Sequence, residues 1–161
     1  MITLYPLDRN NADQVADIRL RPDQLKFAGT VAEALAEPAD RFDLHQINAK
    51  GRAVGLFKID RAYSTDYPFA TEKDLGLRAV ILDQRVQGRG YGTTAMQALR
   101  AYLPRLYPQA ETLFLTVDLA NPAAIAVYRK AGFVDTGEIW PHGDAGPQHI
   151  LSLPLRAQAR C

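Results

Sequence analysis

The chain has 161 residues, 47% of them hydrophobic and 23% charged, so we expect one globular domain over residues 1–161 with a sizeable core. Its 19 lysines and arginines nearly balance its 18 aspartates and glutamates, which gives no support for a nucleic-acid or membrane partner held by bulk charge. The lone Cys161 rules out an intrachain disulfide, and the lack of a signal-peptide pattern or a long apolar run predicts a cytoplasmic protein.

The first half of the chain alternates short helices with strands. In chain order the pattern predicts a strand at residues 2–6, a helix capped by Asn10 or Asn11 with the apolar stripe Ala12, Val15 and Ile18, a helix over 30–37, strands over 42–48 and 52–60, and an irregular segment over 61–73. Because this last segment carries no periodicity, we expect a loop that covers or shapes a site.

The second half predicts a strand, a glycine-rich loop and a helix, followed by further strands and one more helix. The pattern gives a strand over 75–82, a helix over 93–103 that Pro104 ends or kinks, a strand over 113–117, a helix over 122–131 ended by Gly132, and strands over 138–140 and 149–155. Strands separated by helices in this order imply an α/β fold, with a mixed sheet and helices on its faces.

The loop between the strand at 75–82 and the next helix carries three alternating glycines, Gly88, Gly90 and Gly92. Glycine permits a positive φ and removes the Cβ atom that would keep a ligand away from the backbone. The helix that follows presents unpaired N–H groups and the positive end of its dipole. A phosphate-bearing ligand is therefore predicted for this loop.

Two other phosphate-binding loops fit this segment less well. A P-loop requires Gly-Lys followed by Ser or Thr, whereas Gly92 is followed directly by Thr93. A dinucleotide-binding fingerprint requires a glycine at position 93 and an acidic residue about twenty positions on. Asp118 ends the next strand but lies too far along the chain, so the dinucleotide hypothesis stays open as a weaker rival.

The segment Gln87-Gly88-Arg89-Gly90-Tyr91-Gly92 resembles the signature of the GNAT superfamily of acetyl-CoA-dependent N-acetyltransferases. That signature reads Gln or Arg, two residues, Gly, one residue, and then Gly or Ala. The surroundings agree over about residues 75–137, because an apolar strand precedes the loop. Downstream, the matching residues are Leu115-Thr116-Val117, Asn121, Ala124, Tyr128 and Ala131-Gly132-Phe133.

The resemblance implies a central mixed, mostly antiparallel sheet of about six to seven strands flanked by about four helices. A narrower likeness, to bacterial spermine/spermidine-type acetyltransferases, covers the N-terminal half. Its cues are Gln24, Phe27, the helix 31–35 and the strand segment Val54-Gly55-Leu56-Phe57.

The resemblance also assigns residues to acetyl-CoA, the expected co-substrate. Backbone groups of Leu82, Asp83 and Gln84 would bind the pantetheine arm, and an N–H near Leu82 would face the thioester oxygen. The pyrophosphate would lie against the loop residues Gln87, Gly88, Arg89, Gly90, Tyr91, Gly92 and Thr93. Asn121 would contact the same arm or, alternatively, cap its own helix.

Tyr128 matches the general acid of the family, which protonates the sulfur of the departing CoA. A phenol with a pKa near 10 is protonated at neutral pH and can donate, although a tyrosine on an amphipathic helix also serves as core.

The general base is less clear from the sequence, and Glu72 is the first candidate. The others are Asp74, Asp118, His142 and His149. If the acceptor were a polyamine, acidic side chains should line its groove, and Asp60, Asp66, Glu72 and Asp74 could supply that charge.

The sequence thus predicts an N-acetyltransferase that moves the acetyl group of acetyl-CoA to a primary amine of a small molecule, such as a polyamine or an amino-acid-like compound. Direct attack in a ternary complex is the expected route, and no metal is expected. The alternative is a non-catalytic acyl-CoA-binding or sensor protein of the same fold. The resemblance is also compatible with a homodimer.

Overall fold

The computed structural model describes residues 1–25, 29–143 and 146–156. Its centre is a seven-stranded sheet in the order β1-β2-β3-β4-β5-β7-β6. The strands are β1 (Ile2–Pro6), β2 (Phe42–Ala49), β3 (Arg52–Asp60), β4 (Leu75–Leu82), β5 (Thr112–Asp118), β6 (Val134–Trp140) and β7 (Gln148–Pro154). The mixed sheet predicted from the sequence is confirmed.

The helices lie in the connections between the strands. The α-helices are α1 (Val31–Leu35), α2 (Tyr91–Gln97), α3 (Leu99–Leu106) and α4 (Pro122–Lys130). The 3-10 helices cover Arg9–Val15, Pro22–Gln24, Tyr63–Thr65 and Gln84–Val86. Thr30 and Glu33 form a capping box that fixes the start of α1.

The strands β4 and β5 make the one parallel pairing within the described sheet, and it is very short. Leu75 pairs with Leu113 and Gly76 with Phe114, after which the two strands diverge. The other neighbouring strands pair antiparallel. The divergence leaves a wedge in the middle of the sheet, bordered by backbone that has no partner strand.

Each face of the sheet carries its own core. On one face, the side chains of Leu77, Leu115 and Val117 join the larger cluster, together with residues of α2 and α3. On the other, Leu56 and Ile81 pack against α1 and the N-terminal 3-10 helix. Since side chains alternate along a strand, Arg78 and Asp118 both lie on the second face.

One local prediction is wrong, and so is one of two alternatives in another. The helix expected to be capped by Asn10 or Asn11 is a 3-10 helix capped by Asp8, whose carboxylate accepts the Asn10 N–H, and Asn11 has a non-helical φ of −134°. Pro104 does not end its helix, since α3 continues to Leu106. The interruption lies earlier, at Ala98 between α2 and α3. Phe27 and Cys161 lie outside the described residues.

Candidate functional site

A cavity of about 430 Å³ occupies the wedge between β4 and β5. Both strands, the loop before β4, helix α4 and the segment from β6 to β7 contribute to its wall. The lining residues are Tyr63, Tyr67, Leu77, Arg78, Ala79, Val80, Leu115, Thr116, Val117, Asp118, Asn121, Ala124, Tyr128, Trp140, His142, Gly143 and Gln148. The loop predicted to shape a site does so through its two tyrosines.

The backbone of β4 is bulged where it borders the cavity. Leu56 pairs with Ile81 and Lys58 with Arg78, so two β4 residues, Ala79 and Val80, face one residue of β3. Ala79 has a φ of 53°, in the left-handed region that a non-glycine residue rarely adopts. A bulge of this kind redirects the local N–H and C=O groups, here at the wall of the cavity.

The glycine loop has the conformation that its sequence predicts. Gly88 and Gly90 have φ values of 83° and 78°, and no atom lies within 4 Å of a Cβ added at either position. Glycine is therefore required by the backbone conformation and leaves open space beside the loop. Gly90 caps α2 without a side-chain hydrogen bond, so the N–H groups of the first turn stay available to an anion.

Side chains in and next to the loop already make hydrogen bonds within the protein. The Gln87 amide donates to Leu82 O at 2.9 Å and to Gln24 Oε1 at 2.8 Å, which ties the loop to β4 and to the N-terminal segment. The Thr94 hydroxyl donates to Gly90 O. Arg89 is exposed and Thr93 is half-buried. Gln87 thus supports the loop, whereas the glycine backbone forms its open surface.

Backbone N–H groups just after β4 also make hydrogen bonds within the protein. The Asp83 N–H donates to Val54 O at 2.8 Å and the Gln84 N–H to Arg19 O at 2.7 Å. Burial alone would raise the pKa of the Asp83 carboxyl, but hydrogen bonds from Arg85 hold it below its usual value. The N–H groups of Asp83 and Gln84 are therefore not available to a pantetheine arm, in contrast to the β4 backbone that borders the wedge.

Tyr128 and Asn121 both reach the cavity from α4. Tyr128 packs edge-on against Phe133, with ring centroids 5.5 Å apart. Burial raises the pKa of Tyr128 to about 12, so the phenol stays protonated throughout the neutral range. Asn121 caps α4, since its Oδ1 accepts the Ala124 N–H at 3.3 Å. The capping alternative considered for Asn121 is observed.

The structure separates the candidate bases. Glu72 is exposed in the turn before β4 and does not line the cavity. Asp74 is buried in the same turn, where its Oδ2 accepts the Thr71 N–H at 2.8 Å. His149 lies 3.6 Å from Asp135 and outside the cavity. Of the five candidates, Asp118 and His142 line it.

Two buried polar atoms at the cavity wall lack hydrogen bonds to described residues. They are Asp118 Oδ1 and the Tyr63 hydroxyl, whose residues are 6% and 1% exposed. The Thr116 side chain is a polar neighbour of Tyr63, but the two make no hydrogen bond of ordinary geometry. Native proteins rarely leave buried polar atoms unpaired, so both are candidate ligand contacts.

The acidic side chains expected to line a polyamine groove are engaged elsewhere. Arg41 donates from Nε and Nη2 to both carboxylate oxygens of Asp60, each at 2.9 Å, and from Nη2 to Asp66 at 2.7 Å. Arg78 Nη1 also donates to Asp60, at 3.2 Å. Burial would raise the pKa of Asp60, but its bonds with Arg41 and the Ala62 N–H lower it. The acidic groove is therefore absent from the described cavity wall.

Aromatic rings form the wall on the same face as Asp118. Tyr63 and Tyr67 stack with centroids 4.1 Å apart, and Trp140 lies 4.9 Å from Tyr67. A Cβ at position 76 would come within 1.9 Å of the Tyr63 ring, so only glycine fits beneath it. Neither this wall nor Arg78 was recognised from the sequence, because the residues come from separate segments without a motif.

The described part of the chain comprises residues 1–25, 29–143 and 146–156. In them, no helix is long and apolar enough to cross a bilayer. The same ranges hold no group of three His, Cys, Asp or Glu side chains placed to bind a metal ion.

Comparison with known proteins gives a family match and structural likenesses. Residues 8–133 match the model of the Acetyltransferase (GNAT) family. The fold is similar to that of aminoglycoside acetyltransferase AAC(6')-Ib in complex with coenzyme A, with a TM-score of 0.77 and 18% identity over 96% of this chain and 95% of that one. It is also similar to spermidine N-acetyltransferase from Vibrio cholerae in complex with CoA and spermine, with a TM-score of 0.68 and 14% identity over 96% and 95%.

Proposed function

Since the chain belongs to the acetyltransferase (GNAT) family and is an acetyl-CoA-dependent N-acetyltransferase, we propose that its acceptor is a primary amine of a small molecule, attacked directly in a ternary complex. The observation that carries this proposal is the wedge between β4 and β5, whose cavity is lined by Tyr128 and whose strand β4 leads on to the glycine loop. A ligand that runs along β4 from the cavity to the loop would contact both. The neighbours bind coenzyme A with kanamycin or with spermine, which supports a small amine as acceptor.

The donor is held mainly by backbone in this proposal. The N–H groups at Gly88 to Gly92 bind the pyrophosphate, and the unpaired edge of β4 binds the pantetheine arm. The bulge at Ala79 and Val80 presents backbone at the cavity wall, where an N–H would stabilise negative charge on the thioester oxygen. Residues 1–161 would form a single domain, as one sheet joins strands from both ends of the chain.

Acetyl transfer then needs one proton removed and one delivered. The uncharged amine attacks the thioester carbonyl, a C–N bond forms, and the C–S bond breaks. We assign the amine proton to Asp118, whose Oδ1 is unpaired at the cavity wall, rather than to the exposed Glu72. Tyr128 gives its phenolic proton to the departing thiolate and is reprotonated from solvent.

Thermal shift measurements with acetyl-CoA, CoA, NAD and ATP test the donor. We expect acetyl-CoA and CoA to raise the melting temperature, because a ligand that binds the folded state stabilises it. Stabilisation by NAD without stabilisation by CoA would contradict the proposal. Release of free CoA thiol with a panel of amines then separates an enzyme from a protein that only binds acyl-CoA. A homodimer and a cytoplasmic location stay predictions.

A further inference from the structure

We propose that the acceptor is an amine that also carries a carboxylate, with its amine at Asp118 and its carboxylate at Arg78. This inference rests on the proposed acetyl transfer in the same cavity. It narrows the acceptor from any small amine to one class, the amino-acid-like amines.

The first support is the charge of the cavity wall. Among the described lining residues, Arg78 is the one guanidinium, Asp118 the one carboxyl group and His142 the one imidazole. A polyamine presents several ammonium groups and would need several anions. A compound with one ammonium and one carboxylate matches this wall group for group.

The second support is the position of the two charges in the sheet. Arg78 lies on β4 and Asp118 on β5, on the sides of the wedge that face each other. Both alternate with core residues, Leu77 on β4 and Val117 on β5, and therefore project from the same face of the sheet. An acceptor that enters from this face would therefore contact both charges.

The third support is how Arg78 is held. Nη1 donates to Asp60 at 3.2 Å, and the guanidinium lies over the Tyr67 ring, 5.5 Å from its centroid. Arg41 takes both oxygens of Asp60, and Asp66 Oδ2 also lies 3.9 Å from Arg78 Nη1, so the carboxylates hold the Nη1 side of the guanidinium in place. Within the described part of the chain, Nη2 and Nε of Arg78 make no hydrogen bond. A planar guanidinium with two nitrogens free to donate is suited to a carboxylate.

The fourth support is the aromatic wall beside these charges. The rings of Tyr67 and Trp140 provide an apolar surface next to Arg78 for the body of the acceptor. The buried Tyr63 hydroxyl adds a polar contact that has no protein partner among the described residues.

Matched acceptor pairs test the proposal. Phenylalanine with phenethylamine, tyrosine with tyramine, and ω-amino acids with the corresponding alkylamines differ by the carboxylate, and spermidine represents the polyamines. With saturating acetyl-CoA, we expect kcat/KM to be at least about tenfold higher for the carboxylate-bearing member of one or more pairs, since a charge-assisted hydrogen bond commonly contributes that much.

The Arg78→Gln variant should abolish this preference while leaving the KM for acetyl-CoA unchanged. Arg78→Lys should keep the ion pair with Asp60 and part of the preference, which distinguishes lost recognition from lost folding. The matched control is Arg61→Gln, because Arg61 also pairs with a carboxylate, Asp43, but does not line the cavity. This control should behave as the unaltered protein does.

Equal rates within every pair, or a preference for the decarboxylated amines or spermidine, would overturn the inference and leave acetyl transfer standing. If no carboxylate-bearing amine is acetylated, the melting temperature of the CoA complex decides. Stabilisation by such a compound, lost in Arg78→Gln, supports the inference, and its absence overturns it. Failure of acetyl-CoA to bind, with no CoA released by any amine, would contradict the proposed function itself.

Discussion

The donor end and the acceptor end of the proposed site offer different kinds of contact to a ligand. The donor end offers mostly backbone: the unpaired edge of β4 and, outside the cavity, the open glycines Gly88 and Gly90. At the acceptor end they are side chains, above all Arg78, Asp118 and the aromatic wall. Backbone recognition suits a ligand shared by a whole family, whereas side chains can be exchanged without disturbing the sheet. The difference separates a constant donor from a variable acceptor.

The acceptor end should show the largest effect, at Asp118. Asp118→Asn keeps the size of the side chain but cannot take a proton, so we expect kcat/KM to fall about 10²–10⁴-fold with acetyl-CoA binding unchanged. Steady-state CoA release and thermal shift measure the two quantities. Glu72→Gln is the control and should retain the unaltered rate, and a reversed outcome would return the base to Glu72.

Tyr128 is the proposed general acid, so its replacement should slow the chemical step. Tyr128→Phe keeps the ring packed on Phe133 but removes the proton donor, so we expect kcat to fall about 10²-fold with both KM values little changed.

The pH dependence of kcat tests the same assignment. The Tyr128 phenol donates only while protonated, and its pKa is raised to about 12, so activity that depends on it is present below that pH and lost as pH rises through it. The kcat profile should therefore show no Tyr128-dependent fall below about pH 10. Equal rates for the Phe variant and the unaltered protein would remove Tyr128 as the acid.

The donor end should respond to a change of backbone conformation. Gly90→Ala places a Cβ on a residue with φ of 78°, which costs about 1–2 kcal/mol, and relaxation of the loop would displace the N–H groups. We expect acetyl-CoA affinity, measured by calorimetry, to fall about tenfold with the acceptor preference intact.

Gly137→Ala is the matched control for the loop variant. Gly137 lies in β6 with φ of 85° and, like Gly90, has no atom within 4 Å of an added Cβ. It should lower stability to a similar degree without changing acetyl-CoA affinity. A loss of affinity in both variants would show that the effect is global and that the loop has no special part in binding.

The donor end of the site was easier to predict from the sequence than the acceptor end. The glycine loop and the strand before it were predictable, because local conformation and binding depend on contiguous residues. Asn121 and Tyr128 also follow in a fixed order on one helix. The bulge at Ala79 was not predictable, since alanine has no preference for a positive φ and tertiary pairing with β3 imposes it.

The acceptor end could not be predicted from the sequence, for a related reason. Asp60 and Asp66 looked like free acidic residues, and only the folded chain brings Arg41 and Arg78 to them. Glu72 was favoured for its place before β4, yet the turn directs it to solvent. Long-range pairing of charges leaves no periodic trace in a single sequence.

The short parallel pairing between β4 and β5 has a further consequence. The β1–β4 and β5–β7 portions of the sheet share two residue pairs at this border, Leu75 with Leu113 and Gly76 with Phe114. A ligand that hydrogen-bonds along the open edge of β4 would act as an additional strand. Acetyl-CoA would then contribute to the cohesion of the protein as well as to its chemistry, and the concentration of the donor would set how firmly the two portions are joined.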